Sequence, residues 1–204
     1  MQKKMDSLKF PTIYNNFSHS ELLNGVEVTD DDALILFVSM DDIRWGKDNL
    51  RKLLNVALGA KNSLVIFADD LPKEVVSYTV DMLPSLDNPS MPSEQHVKQI
   101  VRFLLDNPNK NIISSCSAGI SRSGWVSFFL DVKNARFDSI KRFGESYLWS
   151  FDSKRTVVHN GYNANSAFTY YAIENGLFSD EEIRALRELP IFSLYTPIQK
   201  EISL

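Results

Sequence analysis

Two short apolar runs in the first third of the chain have the pattern of buried strands. Residues 33–39 are apolar up to a final serine and rich in β-forming side chains, and residues 63–67 repeat this pattern. Continuous apolar runs of this length are typical of strands covered on both faces of a parallel sheet, whereas half-exposed strands alternate. A third, shorter strand is predicted at residues 111–115.

Segments with helical periodicity lie between and after these strands. Apolar side chains recur at spacings of three and four over residues 47–58, and Gly59 follows as a helix stop. A second apolar face follows Ser93, which is suited to cap a helix, and this pattern ends at Asn107. From Gly124 onward, a run of Trp, Val, Phe and Leu predicts a largely buried helix.

The last third of the chain also has helical patterns. Residues 137–148 and 163–174 are predicted to be helical. Ser179 and Glu182 have the spacing of a capping box, and this box predicts a short helix that ends at Arg187. Residues 189–204 are too mixed in character to assign.

The alternation of strands and helices favours an α/β fold. We expect a single domain over residues 1–204, with the motif-bearing core at about 33–188, a mostly parallel central sheet and helices on both faces. In such folds the functional site lies at the carboxyl end of the strands. The length of 204 residues suits one domain, and a composition with 44% hydrophobic and 24% charged residues is that of a globular protein.

Charge and hydropathy exclude several functional classes. The net charge is −4 and the basic residues are scattered, so no nucleic-acid partner is expected. No apolar stretch approaches the roughly 20 residues of a membrane span, and the first residues lack the apolar run of a secretory signal. We therefore predict a cytoplasmic protein that does not insert into membranes.

The cysteine and histidine content argues against a metal centre. The single cysteine, Cys116, excludes an intrachain disulfide and a multi-cysteine metal site. The three histidines, His19, His96 and His159, are too dispersed to suggest ligands and are interpreted as core or solvent-facing residues. Neither a metal nor an organic cofactor is expected.

A segment at residues 69–92 separates the second predicted strand from the helix that follows. It contains four prolines and several acidic residues, so most of it is expected to be a loop. Loops of this length inside a compact domain are uncommon unless they have a function or are disordered. The segment is therefore a candidate lid.

The stretch from Cys116 to Ser123, Cys-Ser-Ala-Gly-Ile-Ser-Arg-Ser, lies between a predicted buried strand and a predicted helix. Backbone amides in such a loop can surround an oxyanion and add to the positive end of the helix dipole. Gly119 permits a tight loop, and Arg122 supplies a planar fork of N–H donors that can hold two phosphate oxygens at once.

The same position favours the thiolate form of the cysteine. Cysteines beside helix N-termini and cations ionise more readily than a free thiol, and the thiolate is the nucleophilic form. Ser123 follows Arg122 directly, so its hydroxyl could donate to the sulfur and help it to leave.

Cys116 and Arg122 are separated by five residues, Ser123 follows, and Gly119 is the third residue after the cysteine. This is the Cys-x5-Arg signature of the phosphate-binding loop, or P-loop, in cysteine-dependent phosphatases. The chain resembles the protein tyrosine phosphatase superfamily, most of all its dual-specificity-like branch and the compact bacterial and phage phosphatases. The same offsets from a lone cysteine arise by chance about once in two thousand cases. The resemblance covers about residues 63–135.

The resemblance implies a phosphatase-like domain and a hydrolase reaction without a cofactor. A phosphocysteine would form on Cys116, and Ser123 would assist its breakdown. The substrate would be a phosphorylated protein or peptide, with phosphotyrosine as the first choice because the loop has no lysine; phosphoserine and phosphothreonine remain open. The phosphate-binding residues would be Ser117, Ala118, Gly119, Ile120, Ser121 and Arg122.

Such a phosphatase needs a general acid to protonate the leaving oxygen. Phe67-Ala68-Asp69 resembles the Phe-x-Asp of the compact bacterial and phage members, which makes Asp69 the first candidate and Asp70 the alternative. Asp81 and Asp87 are more distant candidates. The competing interpretation is that the aspartates begin a turn, as Asp often does.

One position departs from the family pattern, because Ser115 stands where relatives generally have histidine before the cysteine. This leaves a phosphate-binding adaptor, a catalytically weak or inactive domain that holds phosphoproteins, as the main alternative. An inert buried thiol, a rhodanese-type sulfur transferase and a redox-regulated enzyme are further alternatives.

Overall fold

The computed structural model describes residues 8–44, 46–70, 91–137 and 164–188, which form one α/β domain around a four-stranded sheet. All three strand pairings are parallel, and the strand order is β1-β4-β2-β3. The strands are β1 (Tyr14–Ser18), β2 (Asp32–Val38), β3 (Ser63–Phe67) and β4 (Asn111–Cys116). The predicted fold class is confirmed.

Helices cover both faces of the sheet. They are α1 (His19–Gly25), α2 (Met40–Arg44), α3 (Lys47–Gly59), α4 (Glu94–Asp106), α5 (Arg122–Lys133), α6 (Ser166–Glu174) and α7 (Asp180–Arg187). Ser93 caps α4, and the capping box of Ser179 and Glu182 opens α7, as the sequence predicts. None of the helices in the described ranges has the length and apolarity that a membrane crossing requires.

Strand β2 explains why the sheet is buried on both faces. Its side chains alternate between two cores: Ile35 and Phe37 pack with α4, α5 and α6, whereas Leu34 and Leu36 pack with α1 and α3. All four are fully buried. Each such side chain contributes about 1.5 to 3 kcal/mol relative to an exposed one, so the continuous apolar run is what holds the layers together. Trp125 of α5 is also fully buried in the first core, as expected for this helix.

Two expectations differ from the structure. Strand β3 was expected to be buried, but it is an edge strand and the side chain of Phe67 is 49% exposed. Strand β1 and helix α1 were not predicted at all. Three of the five residues of β1 are polar and most are partly exposed, because β1 lies at the other edge and lacks the apolar run of a central strand.

Several sequence-based predictions concern residues that the structure does not describe. Most of the predicted helix at 137–148 and most of the candidate lid at 69–92 lie outside the described residues. The same holds for residues 189–204, and for Asp81, Asp87 and His159.

The carboxyl ends of the strands open on one edge of the sheet. In the β1–β4 pairing, Ser18 lies opposite Cys116, so His19 begins α1 beside the end of β4. Strand β2 leads into α2 and β3 leads to Asp69 at the same edge. Three chain segments therefore converge beside the loop that follows β4, between Cys116 and Arg122, at the edge where ligands of open α/β sheets bind.

Candidate active site

The candidate site is built on the loop that connects β4 to α5. Cys116 is the last residue of β4, and α5 begins at Arg122 after five loop residues. The thiol is almost completely buried, with 1% exposure, whereas Ser117 and Ala118 are exposed at the mouth of the loop. The reactive atom thus lies at the base of a loop whose rim is open to solvent.

Gly119 allows this loop to lie against β1. Its φ of 72° is in the left-handed region, and a Cβ atom there would lie 2.5 Å from the amide nitrogen of Ser18 and 2.7 Å from the carbonyl carbon of Phe17. The Asn16 side-chain amide donates to the Gly119 carbonyl at 2.5 Å. Both the backbone angle and the close approach require glycine at this position.

Ser123 contacts the sulfur directly. The distance between Cys116 Sγ and Ser123 Oγ is 3.1 Å, and both side chains are buried. The Ser114 hydroxyl donates to the backbone carbonyl of Ser123 at 3.2 Å, which fixes the first turn of α5 against β4. The hydroxyl that the sequence assigns to leaving-group assistance is thus within hydrogen-bond distance of the thiol.

Arg122 is 3% exposed, and two of the three nitrogens of its guanidinium donate hydrogen bonds to protein oxygens. Its Nη1 donates to the Ala68 carbonyl at 2.8 Å, and its Nη2 donates to the Ser117 hydroxyl at 2.9 Å. Nε finds no hydrogen-bond partner among the described residues. A buried N–H of a charged group without a partner is costly, so this atom favours an oxyanion at the loop.

The N-terminus of α5 has no side-chain cap. Ser121 occupies the N-cap position, but its hydroxyl does not accept from the helix amides. It donates instead to Asp70 Oδ1 at 2.5 Å. The first amides of any helix lack intrahelical partners, and here no cap from Ser121 competes with an anion for them.

The two candidate acids occupy different positions. Asp70 lies against the loop, where its Oδ1 accepts from Ser121 and from the Asn165 side-chain amide at 2.9 Å. Asp69 Oδ1 accepts from the backbone N–H of Met40 at 2.8 Å, at the first residue of α2. The structure thus brings Asp70 into contact with the loop between Cys116 and Arg122, and Asp69 into contact with a neighbouring helix start.

No protein-family model, curated protein or solved structure matches the chain. What the site can do chemically therefore follows from its own atoms. One strand–loop–helix unit carries the buried Cys116 thiol, the Ser123 hydroxyl in contact with it, and the Arg122 guanidinium, whose Nε has no partner among the described residues. A carboxylate lies at the rim.

A buried aspartate under the loop was not singled out as a site residue from the sequence. Asp42 Oδ1 accepts from the Ser117 hydroxyl at 2.9 Å, and its Oδ2 accepts from the amide and hydroxyl of Ser39, each at 2.7 Å. His19 Nδ1 lies 3.2 Å from Oδ1. The spacing of Ser39 and Asp42 is that of a capping box, so the sequence contained a pattern for this turn.

Burial raises the pKa of Asp42, but the neighbouring His19 ring and the hydrogen bonds from Ser39 and Ser117 outweigh it and hold that pKa well below its usual range. Asp42 therefore remains ionised near neutral pH and cannot serve as the general acid. His19 had no local sequence pattern that pointed to the site, because its partners lie in other segments of the chain.

No cluster of three or more His, Cys, Asp or Glu side chains suited to a metal ion occurs within the described ranges. Ser115 is fully buried, and its hydroxyl has no hydrogen-bond partner in the part of the chain that the structure describes. Among the described residues, the Ser115 hydroxyl therefore makes no hydrogen bond that would replace one made by a histidine before the cysteine.

Proposed function

We propose that the protein is a cysteine-dependent phosphatase that hydrolyses phosphomonoesters through a phosphocysteine on Cys116. The observation that carries the proposal is the buried Arg122 guanidinium, whose Nε lacks a partner among the described residues and which shares a loop with the thiol. A phosphate site needs a fixed cation with an N–H that is available to an anion. The start of α5, which has no side-chain cap, offers backbone amides to the same anion.

In the first step the thiolate attacks phosphorus in line with the ester oxygen. The S–P bond forms, the P–O bond to the leaving group breaks, and the acid gives its proton to that oxygen. Arg122 and the loop amides stabilise the charge on the equatorial oxygens. The hydrogen bonds of Arg122 to the Ala68 carbonyl and the Ser117 hydroxyl hold the guanidinium in place for this role.

In the second step water attacks the phosphocysteine. The carboxylate left by the first step takes the proton of the water, the S–P bond breaks, and inorganic phosphate is released. The hydroxyl of Ser123, 3.1 Å from the sulfur, donates to the departing thiolate and lowers the barrier to its expulsion. No metal or cofactor takes part in either step.

The substrate class follows from the resemblance and from the loop composition. We propose a phosphorylated protein or peptide, with phosphotyrosine ahead of phosphoserine and phosphothreonine, because the loop between Cys116 and Arg122 contains no lysine that would favour a polyphosphorylated ligand. A reactive single thiol requires a reducing compartment, which supports a cytoplasmic location.

The general acid is tested by replacing each aspartate. Asp69 is the first choice on sequence, whereas the contacts with Ser121 and Asn165 favour Asp70. We expect Asp70→Asn to lower kcat for p-nitrophenyl phosphate by about 10²- to 10⁴-fold and to remove the alkaline limb of the pH–rate profile. Asp69→Asn is the matched control and should retain that limb. The reverse result assigns the acid to Asp69.

The proposed function is tested by detecting the phosphocysteine intermediate on Cys116. Wild-type protein is mixed with p-nitrophenyl phosphate, quenched in acid, and digested for mass spectrometry of the peptide that contains Cys116. We expect steady release of p-nitrophenol, inhibition by vanadate and a phosphorylated Cys116. Ser123→Ala should increase the phosphorylated fraction, because it slows the second step more than the first.

Two other results would contradict the proposal. If vanadate binds but no p-nitrophenol is released, the protein is an adaptor that holds phosphate without turnover. If neither vanadate nor inorganic phosphate binds, the loop is not an oxyanion site.

A further inference from the structure

The orientation of Arg122 depends on a hydroxyl that does not need to touch substrate. Ser117 Oγ accepts from Arg122 Nη2 at 2.9 Å and donates to Asp42 Oδ1 at 2.9 Å. A hydroxyl has one proton, so donation to Asp42 turns its lone pairs toward the guanidinium. The direction of this hydrogen bond is therefore fixed by a carboxylate in another segment of the chain.

Asp42 is a dedicated acceptor. It is 4% exposed, its oxygens accept from Ser39 and Ser117, and His19 Nδ1 lies 3.2 Å from Oδ1. Because these donors keep the carboxylate ionised, it accepts from Ser117 throughout the pH range in which phosphatases are assayed. A neutral group at this position would release the Ser117 proton to rotate.

His19 lies against the Asp42 carboxylate. Its Nε2 lies 2.9 Å from the carbonyl oxygen of Phe37, which only accepts, so Nε2 carries a proton. Its Nδ1 lies 3.2 Å from Asp42 Oδ1, a second acceptor. This contact is not a hydrogen bond, because Nδ1 has no hydrogen-bond partner among the described residues. The ring is 1% exposed and held at Phe37, so its position limits where the Asp42 carboxylate can lie.

We propose that His19 and Asp42 are positioning residues that orient Arg122 through the Ser117 hydroxyl, an inference that rests on the proposed phosphatase function. The guanidinium is planar and rigid, so fixing Nη1 on the Ala68 carbonyl and Nη2 on Ser117 also fixes the direction of Nε. Nε is the donor that has no partner among the described residues. The pair thus prepares the phosphate site without contacting phosphate.

A double-mutant cycle tests this relay. The variants are Asp42→Asn, Ser117→Ala and the double variant, with the vanadate inhibition constant and kcat/KM for p-nitrophenyl phosphate as measurements. Each single change should weaken vanadate binding by about 10- to 100-fold, the range for a hydrogen bond to a charged group. The double variant should be no worse than the weaker-binding single variant, because both changes break the same relay.

Conservative variants separate positioning from folding. Ser117→Thr retains the hydroxyl and should keep vanadate affinity within about threefold of wild type, a smaller loss than the 10- to 100-fold expected for Ser117→Ala. His19→Gln retains a donor for the Phe37 carbonyl but removes the ring that lies against Asp42. If Asp42→Asn does not fold, the cycle is run with His19→Gln instead. His96→Gln on α4, outside the site, is the control and should leave both constants unchanged.

The outcomes separate the two proposals. If the effects of Asp42→Asn and Ser117→Ala multiply in the double variant, the two residues act independently and the relay is overturned while the phosphatase stands. If Ser117→Thr is as weak as Ser117→Ala, the hydroxyl is not the connection. If wild type neither binds vanadate nor turns over, the proposed function fails and the relay falls with it.

Discussion

Replacing Cys116 with serine is expected to reduce p-nitrophenyl phosphate hydrolysis by about 10⁵-fold or more, to the background rate. A serine hydroxyl at this position has no general base assigned to it and is not ionised near neutral pH, so it cannot replace the thiolate as nucleophile. Its size is close to that of the thiol, which leaves Arg122 and the loop amides in place. The measurement is initial rate at saturating substrate, with phosphate affinity measured by calorimetry.

Retained phosphate binding is the control in this experiment. The Cys116→Ser protein should bind phosphate within about tenfold of wild type, corresponding to no more than about 1.4 kcal/mol, because the anion contacts lie on Arg122 and α5. An unchanged circular dichroism spectrum would confirm the fold. Residual turnover of more than 1% of wild type would show that the thiol is not the nucleophile.

Replacing Arg122 with lysine is expected to reduce kcat/KM by about 10³- to 10⁵-fold, the range for a cation that contacts a transferred phosphoryl group. The lysine retains the charge but has no fork of donors to bond the Ala68 carbonyl, the Ser117 hydroxyl and an oxyanion together. Vanadate inhibition should weaken in parallel, because vanadate takes the geometry of the transferring phosphoryl group.

Arg102→Lys is the matched control for the charge-conserving change. Arg102 is exposed on α4 and forms an ion pair with Asp106, so its replacement should leave kcat/KM and thermal stability close to wild type. If Arg122→Lys keeps kcat/KM within tenfold of wild type, the guanidinium geometry does not matter and the proposed role of Arg122 is wrong.

The central sheet and the loop could be predicted because their determinants are local in sequence. The apolar run of β2 predicts a strand buried on two faces, and its alternating side chains do reach two cores. The offsets between Cys116, Gly119 and Arg122 specify a tight loop between a strand and a helix. In the structure that loop has a left-handed glycine and a buried arginine.

The rest of the site depends on contacts between distant segments. Asn16, His19 and Asp42 lie near the loop only because parallel strands end at one edge, and no local pattern links any of them to that loop. The choice between Asp69 and Asp70 depends on which way each side chain turns after β3. Adjacent side chains in extended backbone point in opposite directions, so Asp69 contacts the start of α2 whereas Asp70 contacts Ser121 of the loop.

The stability of strand β1 affects the fraction of molecules in which the loop between Cys116 and Arg122 is correctly folded. It supplies no reacting group, yet its backbone at Ser18 and the side chain of Asn16 form the wall against which Gly119 is packed. Edge elements open by local unfolding at a lower free energy than the whole domain. When β1 separates from β4, the loop loses that wall while the central core persists. The opening equilibrium of this outer strand, measurable by amide hydrogen exchange, therefore sets the fraction of molecules in which the loop is held in the geometry of the proposed anion site.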